Sequence, residues 1–162
     1  MKIDNNADLK KLTTFKMGGT ASKLYTPETE DELINLIQDK HPQYFIGGGS
    51  NIIINTRVFD SVVNLREFSS TIEDKGNGTY IVGASVRLQK LIKTINADGY
   101  GGIEYLYSVP GLVGGAVVMN AGRGKSFNKC ISDYIESVKV FCMGQVYWME
   151  KADCKFSYRM SN

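Results

Sequence analysis

Two glycine-rich segments hold the residues whose types and spacing are suited to chemistry. The first, GGGSN at 47–51, directly follows YFIG at 44–47, a run that predicts a buried strand. Successive peptide N–H groups after a strand can turn towards one point, and three residues without a Cβ let an anionic group reach them. The loop is therefore a candidate phosphate site, with a plain tight turn as the alternative. It matches neither the dinucleotide G-x-G-x-x-G pattern nor the nucleotide-triphosphate loop.

The second segment is VPGLVGGAVVMNAG at 109–122. It is too rich in hinges for a helix and too apolar for a solvated loop. Gly114 and Gly115 would let a flat ring or a sugar press against the main chain, and Asn120 offers both a donor and an acceptor at the edge. The alternative is that the glycines serve only the close packing of strands.

Cysteine and histidine chemistry has little support in this sequence. Cys130, Cys142 and Cys154 form no C-x-x-C pair, and His41, beside Pro42, is the sole histidine, so a zinc site lacks ligands. We expect buried free thiols and no disulfide framework. His41 is expected in a surface turn, which leaves a histidine-based triad without a promising base.

Composition bounds the class of protein and its partners. With 162 residues, 43% hydrophobic and 22% charged, the chain has the make-up of an ordinary folded protein. A net charge of +2 with scattered basic residues excludes a nucleic-acid groove or an anionic membrane surface, so small molecules are the expected partners. No apolar run approaches the roughly 20 residues of a spanning helix, and the polar start is unlike a secretory signal. We expect a cytoplasmic chain without membrane insertion.

The first part of the chain reads as one helix with strands around it. A helix is predicted from Pro27, since Thr29 and Glu32 have the spacing of a capping box. Its apolar stripe consists of Leu33, Ile34 and Ile37. Residues 52–55 are predicted to be extended and 61–65 to form another strand.

The second part predicts hairpins and a longer helix. Residues 71–84 read as a hairpin whose turn lies at 76–78, because glycine and asparagine tolerate positive φ. Helical spacing of apolar residues runs through 87–98 and ends at Gly99. Two further strands flank Met143–Gly144. The predicted class is α+β, with one lobe at 1–70 and a second at 71–162.

The order and spacing of these segments resemble those of the UDP-N-acetylenolpyruvoylglucosamine reductase family, also called UDP-N-acetylmuramate dehydrogenases. These flavoenzymes act in bacterial cell-wall precursor synthesis. The matching blocks are TFKMGGTA (14–21), Pro27 with EDEL (30–33), YFIGGGSN (44–51), FDSVV (59–63), GIEYL (102–106), PGLVGGAVVMNAG (110–122) and FSYRMS (156–161). Together they extend over nearly the whole chain.

This resemblance implies an FAD-binding domain of the vanillyl-alcohol-oxidase (PCMH) type, in which two lobes hold the flavin between them. The positions that correspond to the pyrophosphate-binding loop are Gly47, Gly48, Gly49, Ser50 and Asn51. The positions that correspond to the wall approached by the flavin are Pro110, Gly111, Gly114, Gly115 and Asn120. The resemblance thus implies FAD as the cofactor and assigns it to the two glycine segments.

The resemblance also implies a hydride transfer from NADPH through FAD to the enolpyruvyl double bond of a UDP-sugar. Tyr158 and Arg159 match the family's Tyr-Arg pair, whose arginine faces the substrate carboxylate. A guanidinium suits this role because its planar fork binds a carboxylate bidentately and keeps its charge. A surface arginine is the alternative.

The chain departs from the family pattern in three places. Thr13–Thr14 replaces an Asn-Thr pair, and 123–129 lacks a tyrosine and a glutamate of the family. The basic residues of that segment, Arg123, Lys125 and Lys129, are candidates for another anionic ligand or for a solvated loop. The family's serine proton donor and late glutamate belong to a substrate domain that lies outside this chain.

These departures leave three hypotheses open. The chain is the cofactor-binding part of a reductase, completed by a second polypeptide or by a longer chain. Alternatively, it is a stand-alone flavin-binding paralogue, a carrier, sensor or partner subunit in surface-polysaccharide assembly, without the reductase reaction. In the third hypothesis the site is empty and the glycines only permit packing.

Overall fold

The computed structural model describes residues 1–122 and 129–162. The chain divides into two compact units, Met1–Ser70 and Thr71–Asn162. The role of each unit as a lobe for FAD stays a prediction. Arg123 and Lys125 of the basic segment lie outside the described residues.

The first unit is built on a four-stranded mixed sheet. Its elements are β1 (Lys2–Asp8), β2 (Thr20–Thr26), α1 (Glu30–Lys40), β3 (Phe45–Ile46) and β4 (Val58–Asn64). The strand order is β1-β2-β4-β3, with β1 antiparallel to β2 and the other two pairs parallel. The parallel pairing of β2 with β4 requires a long connection, and this connection contains α1 and the 47–51 loop.

Both faces of this sheet are covered by apolar side chains. Neighbouring residues of a strand point to opposite faces, so the paired positions Leu24 and Val62 lie on one face and Tyr25 and Val63 on the other. Tyr25 and Val63 pack with Leu36 of α1. Leu24 and Val62 belong to a second cluster, which also comprises Leu9, Ala21 and Ile46.

The start of α1 follows the predicted capping pattern only in part. The Thr29 hydroxyl accepts a hydrogen bond from the Glu32 amide over 3.2 Å, as predicted. The Glu32 carboxylate reaches one residue further back than a capping box requires and accepts from the Glu28 amide over 2.8 Å. Leu36, which the predicted stripe omitted, is the buried residue of this helix. His41 ends α1 in a left-handed conformation and is exposed, as expected for a surface turn.

The second unit contains two hairpins and two helices. Its elements are β5 (Ile72–Gly76), β6 (Thr79–Val82), α2 (Leu88–Ala97), α3 (Val113–Val118), β7 (Ser137–Cys142) and β8 (Gln145–Glu150). Both predicted hairpins are present as antiparallel pairs. Their two-residue turns have positive φ throughout, at Asn77–Gly78 and at Met143–Gly144, which matches the right-handed twist of paired strands.

The core of the second unit is organised by α2. Leu88, Leu91, Ile92 and Ile95 are all buried and pack with Leu106 and Val113, among others. The helix ends before Gly99, whose φ of +86° is the predicted left-handed stop. Burial of this stripe stabilises the unit by about 1.5–3 kcal/mol for each fully buried side chain.

The prediction that 109–122 contains no helix is wrong, because α3 occupies Val113–Val118. Two glycines weaken a helix by about 1 kcal/mol each relative to alanine. Tertiary contacts outweigh this cost here. The Val113 and Gly114 amides donate to the carbonyls of Val86 and Ala84, each over 2.8 Å, and Val113 and Ala116 are buried.

The cysteines are free thiols, but the expectation that they are all buried is wrong. Cys154 is buried, Cys130 is partly exposed and Cys142 is exposed at the end of β7. Cys142 is exposed because side chains alternate along a strand and a two-stranded hairpin leaves one of its faces uncovered.

Among residues 1–122 and 129–162, no helix is long and apolar enough to cross a membrane, and no three His, Cys, Asp or Glu residues are placed to hold a metal ion.

Candidate functional site

The 47–51 loop begins where β3 ends, at the carboxyl edge of the parallel pair β3 and β4. Gly49 is buried and has a φ of +66°, a conformation that favours glycine. A Cβ built on Gly49 would lie 1.8 Å from the Leu12 carbonyl oxygen. The Gly49 carbonyl also accepts a hydrogen bond from the Thr14 amide over 2.9 Å. Residues 12–14 therefore press directly against the loop, and this glycine is required by the protein's own packing.

A side chain from beyond β4 holds the same loop. The Arg66 Nη2 atom donates to the Leu12 carbonyl over 3.1 Å and to the Gly48 carbonyl over 3.3 Å. The Arg66 amide in turn donates to the Asn64 side chain over 3.2 Å, which fixes the chain just after the strand. Sequence reasoning missed Arg66, since a single arginine after a strand carries no motif.

The amides of the 47–51 loop differ from its carbonyls in their hydrogen bonding. In the described part of the chain, the N–H groups of Gly47, Gly48 and Gly49 donate to no protein acceptor. Buried or half-buried amides normally have a partner, and consecutive N–H groups in a turn with a left-handed residue form a concavity for an anion. The loop thus has the donor set that a pyrophosphate needs.

The second glycine segment contains two glycines with contrasting surroundings. A Cβ on Gly114 would lie 2.9 Å from the Ala84 Cβ and 3.2 Å from the Ala84 carbonyl oxygen, so this glycine allows α3 to pack closely. Among the described residues, and apart from the backbone of its own helix, a Cβ on Gly115 would meet nothing within 4 Å. Gly115 is exposed, and a flat ligand can reach its backbone without displacing protein atoms. Only Gly115 of the pair has the properties predicted for a wall against a ring.

The other residues predicted for this wall flank α3. Pro110 is exposed, and Gly111 has a φ of +139° and accepts a hydrogen bond from the Leu88 amide over 3.2 Å. The Gly111 carbonyl thereby ties the segment to the first residue of α2. Contact of either residue with a cofactor stays a prediction.

Asn120 uses its side-chain amide inside the protein. It is 5% exposed and has a φ of +40°. Its Nδ2 donates to the Ser157 carbonyl over 2.9 Å, and its Oδ1 accepts from the Ser132 amide over 3.3 Å. The donor and acceptor that we assigned to a ligand edge thus have protein partners, and a cofactor contact of Asn120 stays a prediction.

The predicted Tyr-Arg pair lies in a tight turn. Ser157 and Met160 exchange two backbone hydrogen bonds of 3.0 and 3.3 Å, and Arg159 has a φ of +58°. Tyr158 is 87% exposed, and the Arg159 guanidinium lies 5.5 Å from the centre of its ring. Asn120 and the Ser161 hydroxyl, which donates to the Val118 carbonyl over 3.0 Å, connect this turn to the end of α3. The structure therefore brings two predicted motifs together within the second unit.

Tyr105 is a buried polar group that sequence reasoning missed. Its hydroxyl oxygen is buried and has no hydrogen-bond partner among the described residues. Burial raises the pKa of this hydroxyl, and the nearby Tyr134 and Asp133 add to the effect.

Lys129, the described residue of the basic segment, is exposed.

The chain is similar to known FAD-binding proteins over most of its length. A family model described as an FAD binding domain matches residues 21–148. The UDP-N-acetylenolpyruvoylglucosamine reductase of Prochlorococcus marinus (strain NATL2A) is 34% identical and covers 99% of this chain. That of Fusobacterium nucleatum subsp. nucleatum is 33% identical and covers 98%. The chain spans about half the length of these relatives, 56% and 57% respectively.

A solved structure agrees with these matches. The crystal structure of UDP-N-acetylenolpyruvylglucosamine reductase from Thermus caldophilus aligns with a TM-score of 0.79 and 31% identity, over 99% of this chain and 57% of that protein. The predicted α+β class, the resemblance to the reductase family and FAD as the cofactor are confirmed. The chain therefore belongs to the FAD binding domain family and has the α+β fold of its vanillyl-alcohol-oxidase (PCMH) type.

Proposed function

We propose that this chain is the cofactor-binding part of a reductase that passes a hydride from NADPH, through FAD, to an enolpyruvyl UDP-sugar in peptidoglycan precursor synthesis. The observation that carries the proposal is similarity over nearly the whole chain to enzymes named UDP-N-acetylenolpyruvoylglucosamine reductase. The relatives and the solved structure named above are all reductases, and this favours the reductase over the stand-alone paralogue.

The 47–51 loop binds the pyrophosphate of FAD in this proposal. The amides of Gly47, Gly48 and Gly49, which donate to no described protein acceptor, supply hydrogen bonds to the phosphate oxygens. Ser50 and Asn51 complete the loop. Binding through main-chain donors costs little reorganisation, since the loop's carbonyls are already held by Thr14 and Arg66.

Gly115 provides the bare surface against which the flavin ring lies in this proposal. The position is exposed, and in the described part of the chain no atom beyond the backbone of α3 lies within 4 Å of the place where a Cβ would be. Pro110, Gly111, Gly114 and Asn120 shape the backbone on either side. When bound, FAD supplies the capacity to take up a hydride from a nicotinamide and to give it to an unsaturated substrate.

Arg159 binds and orients the substrate carboxylate in this proposal. Its guanidinium is exposed, carries a permanent charge and can donate two parallel hydrogen bonds to a carboxylate. Because the tight turn and the Asn120 amide fix the backbone at Ser157, the arginine is presented from a defined position. Tyr158 packs against the cation and limits its rotamers.

Stopped-flow spectroscopy on the FAD-loaded protein tests the proposal. NADPH is expected to bleach the flavin absorbance, and the enolpyruvyl UDP-sugar is expected to restore it anaerobically. Bleaching without reoxidation by the sugar would favour a flavin carrier, and absence of bleaching would exclude the NADPH reaction. Because the chain spans about half the length of its relatives, the measurement uses the protein as it occurs in the cell.

A further inference from the structure

Arg66 lies behind the 47–51 loop and contacts the carbonyl side of its peptide units. The Nη2 atom donates to the Gly48 carbonyl over 3.3 Å and to the Leu12 carbonyl over 3.1 Å. A peptide unit is planar and trans, so the carbonyl of Gly48 and the amide of Gly49 point in opposite directions. By binding the carbonyl, Arg66 directs the Gly49 N–H away from itself, and this N–H donates to no acceptor among the described residues.

A second contact holds the adjoining peptide unit in the same sense. The Thr14 amide donates to the Gly49 carbonyl over 2.9 Å. Consecutive carbonyls of the loop are thus bound by Arg66 and by Thr14. Such a clamp fixes the orientation of these peptide units before any ligand arrives, and preorganised main-chain donors favour anion binding.

In the part of the chain that the structure describes, no carboxylate forms an ion pair with Arg66. The side chain is half-buried, and among the described residues it forms hydrogen bonds with carbonyls and no ion pair. A partly buried cation is costly without a counter-charge. A dinegative pyrophosphate on the amide side of the loop would supply this counter-charge across the Gly48–Gly49 peptide unit.

The backbone of Arg66 is held by hydrogen bonds at the end of the sheet. The Arg66 backbone amide donates to the Asn64 side chain over 3.2 Å, and the Asn64 Nδ2 donates to the Thr26 hydroxyl over 3.4 Å. These contacts tie Arg66 to the ends of β4 and β2. The guanidinium is therefore positioned by the sheet of the first unit and not by the loop alone.

We propose that Arg66 is a positioning residue for FAD: it orients the Gly48–Gly49 peptide and supplies the positive charge that favours a pyrophosphate over a neutral group in this loop. The inference rests on the proposed binding of the FAD pyrophosphate at 47–51. It assigns to one side chain outside the glycine motif the discrimination between FAD and flavins without a diphosphate.

Fluorescence titrations of the apoprotein with FAD and with riboflavin test this role. For Arg66→Met we expect the affinity for FAD to fall by about 10- to 100-fold, with riboflavin changed by less than about 3-fold. The salt dependence of FAD binding should flatten in the variant, since a charge contact is lost. Arg57→Met, at an exposed arginine of the same unit, is the matched control and should bind both flavins like the wild type.

Chemical rescue separates the positioning role from a general loss of structure. Guanidinium ion added to Arg66→Ala should restore FAD affinity, whereas urea, which has a similar shape but no charge, should not. If Arg66→Met and Arg66→Ala do not fold, Arg66→Lys is the variant that tests the role in FAD binding. Lysine keeps the charge but cannot bind two carbonyls with a planar fork. It should lower FAD affinity by about 3- to 10-fold.

The outcomes distinguish this inference from the proposal on which it rests. A wild-type protein that binds riboflavin as tightly as FAD would refute pyrophosphate binding at the loop. A wild type that prefers FAD, with an Arg66 variant that keeps the whole preference and the salt dependence, would overturn the role of Arg66 alone. Equal losses for both flavins would reduce the arginine to a structural residue and would also overturn it.

Discussion

The side-chain amide of Asn120 is hydrogen-bonded to the Ser157 carbonyl over 2.9 Å and thereby joins the glycine segment to the turn that carries Arg159. The two residues are 37 positions apart in sequence. The same amide accepts the Ser132 N–H, so one asparagine organises three segments of the second unit. Its left-handed backbone conformation is one that asparagine adopts more readily than most residues.

Replacing Asn120 should therefore destabilise the second unit. In Asn120→Ala the buried Ser132 amide loses its acceptor and the backbone becomes strained, at a total cost of about 2–4 kcal/mol in the free energy of unfolding. Asn120→Gly is the control, since it loses the same hydrogen bonds but tolerates the positive φ, and it should be milder. Urea unfolding gives both values; an alanine variant as stable as the wild type would contradict the role assigned to the amide.

Gly49 and Gly76 form a matched pair for the role of close packing. Both have positive φ, but a Cβ would lie 1.8 Å from the Leu12 carbonyl oxygen at Gly49 and would meet nothing within 4 Å at Gly76. Gly49→Ala should cost about 3 kcal/mol or more, because the 12–14 segment must move. Gly76→Ala should cost only the backbone strain, about 1–2 kcal/mol. Thermal unfolding, followed by circular dichroism, measures the destabilisation caused by each substitution. Similar losses of stability in the two variants would refute the packing role of Gly49.

Gly114 and Gly115 should separate stability from flavin binding. Gly114→Ala pushes against Ala84 and is expected to destabilise the protein by about 1–2 kcal/mol. Gly115→Ala is expected to stabilise α3 by about 0.5–1 kcal/mol, since alanine is the better helix former. The same change should weaken FAD binding if the ring lies on this surface. Urea unfolding and FAD titration of both variants test this; a Gly115→Ala protein with wild-type FAD affinity would place the flavin elsewhere.

The stability of the second unit should fall at high pH through Tyr80. Burial and the hydrogen bond to Asp98, 2.8 Å long, raise the pKa of Tyr80 to about 12 from 10.0. The neutral hydroxyl is thus favoured in the folded state, and its contribution, complete below pH 10, is lost as the pH rises towards 12. Tyr80→Phe should be less stable than the wild type at neutral pH. The urea midpoints of the wild type and of Tyr80→Phe should converge as the pH rises through this range. A constant difference between the two midpoints at every pH would contradict the assignment.

Arg159→Ala should leave FAD binding intact and lower kcat/KM for the enolpyruvyl UDP-sugar by about 100-fold or more, because the carboxylate loses its charged partner. Steady-state kinetics and FAD titration of the natural protein measure the two effects. Lys155→Ala, at an exposed cation four residues away, is the control and should keep normal turnover. Unchanged kinetics in Arg159→Ala would remove the arginine from the substrate site.

Local patterns in the sequence predict the elements that local interactions determine. The hairpin at Asn77–Gly78 follows from residues that tolerate positive φ, and the hairpin at Met143–Gly144 follows from two strand-like runs on either side of it. Helix α2 follows from its apolar spacing and Gly99. By contrast, α3 was missed because its glycines oppose a helix locally and contacts with Ala84 and Val86 decide the matter. Strands β1 and β2 were missed because their polar residues face solvent and only pairing across the sheet defines them.

The candidate site divides along the same line. The order of short motifs sufficed to indicate the FAD-binding family, because glycine-rich backbone positions can be read directly from the sequence. The bonds of Asn120 and Arg66 could not be foreseen, since their partners lie 37 and 54 positions away. An asparagine at the edge of a motif looks the same in sequence whether its amide faces a ligand or a carbonyl.

The Leu12 carbonyl oxygen has a bearing on how such proteins diverge over evolutionary time. Because that oxygen leaves no room for a side chain at Gly49, selection for folding alone would retain this glycine in descendants that no longer carry a flavin. The unobstructed position at Gly115 would accumulate substitutions once the ring was gone. In such a lineage Gly115, and not the triple glycine, would report whether the cofactor has been kept.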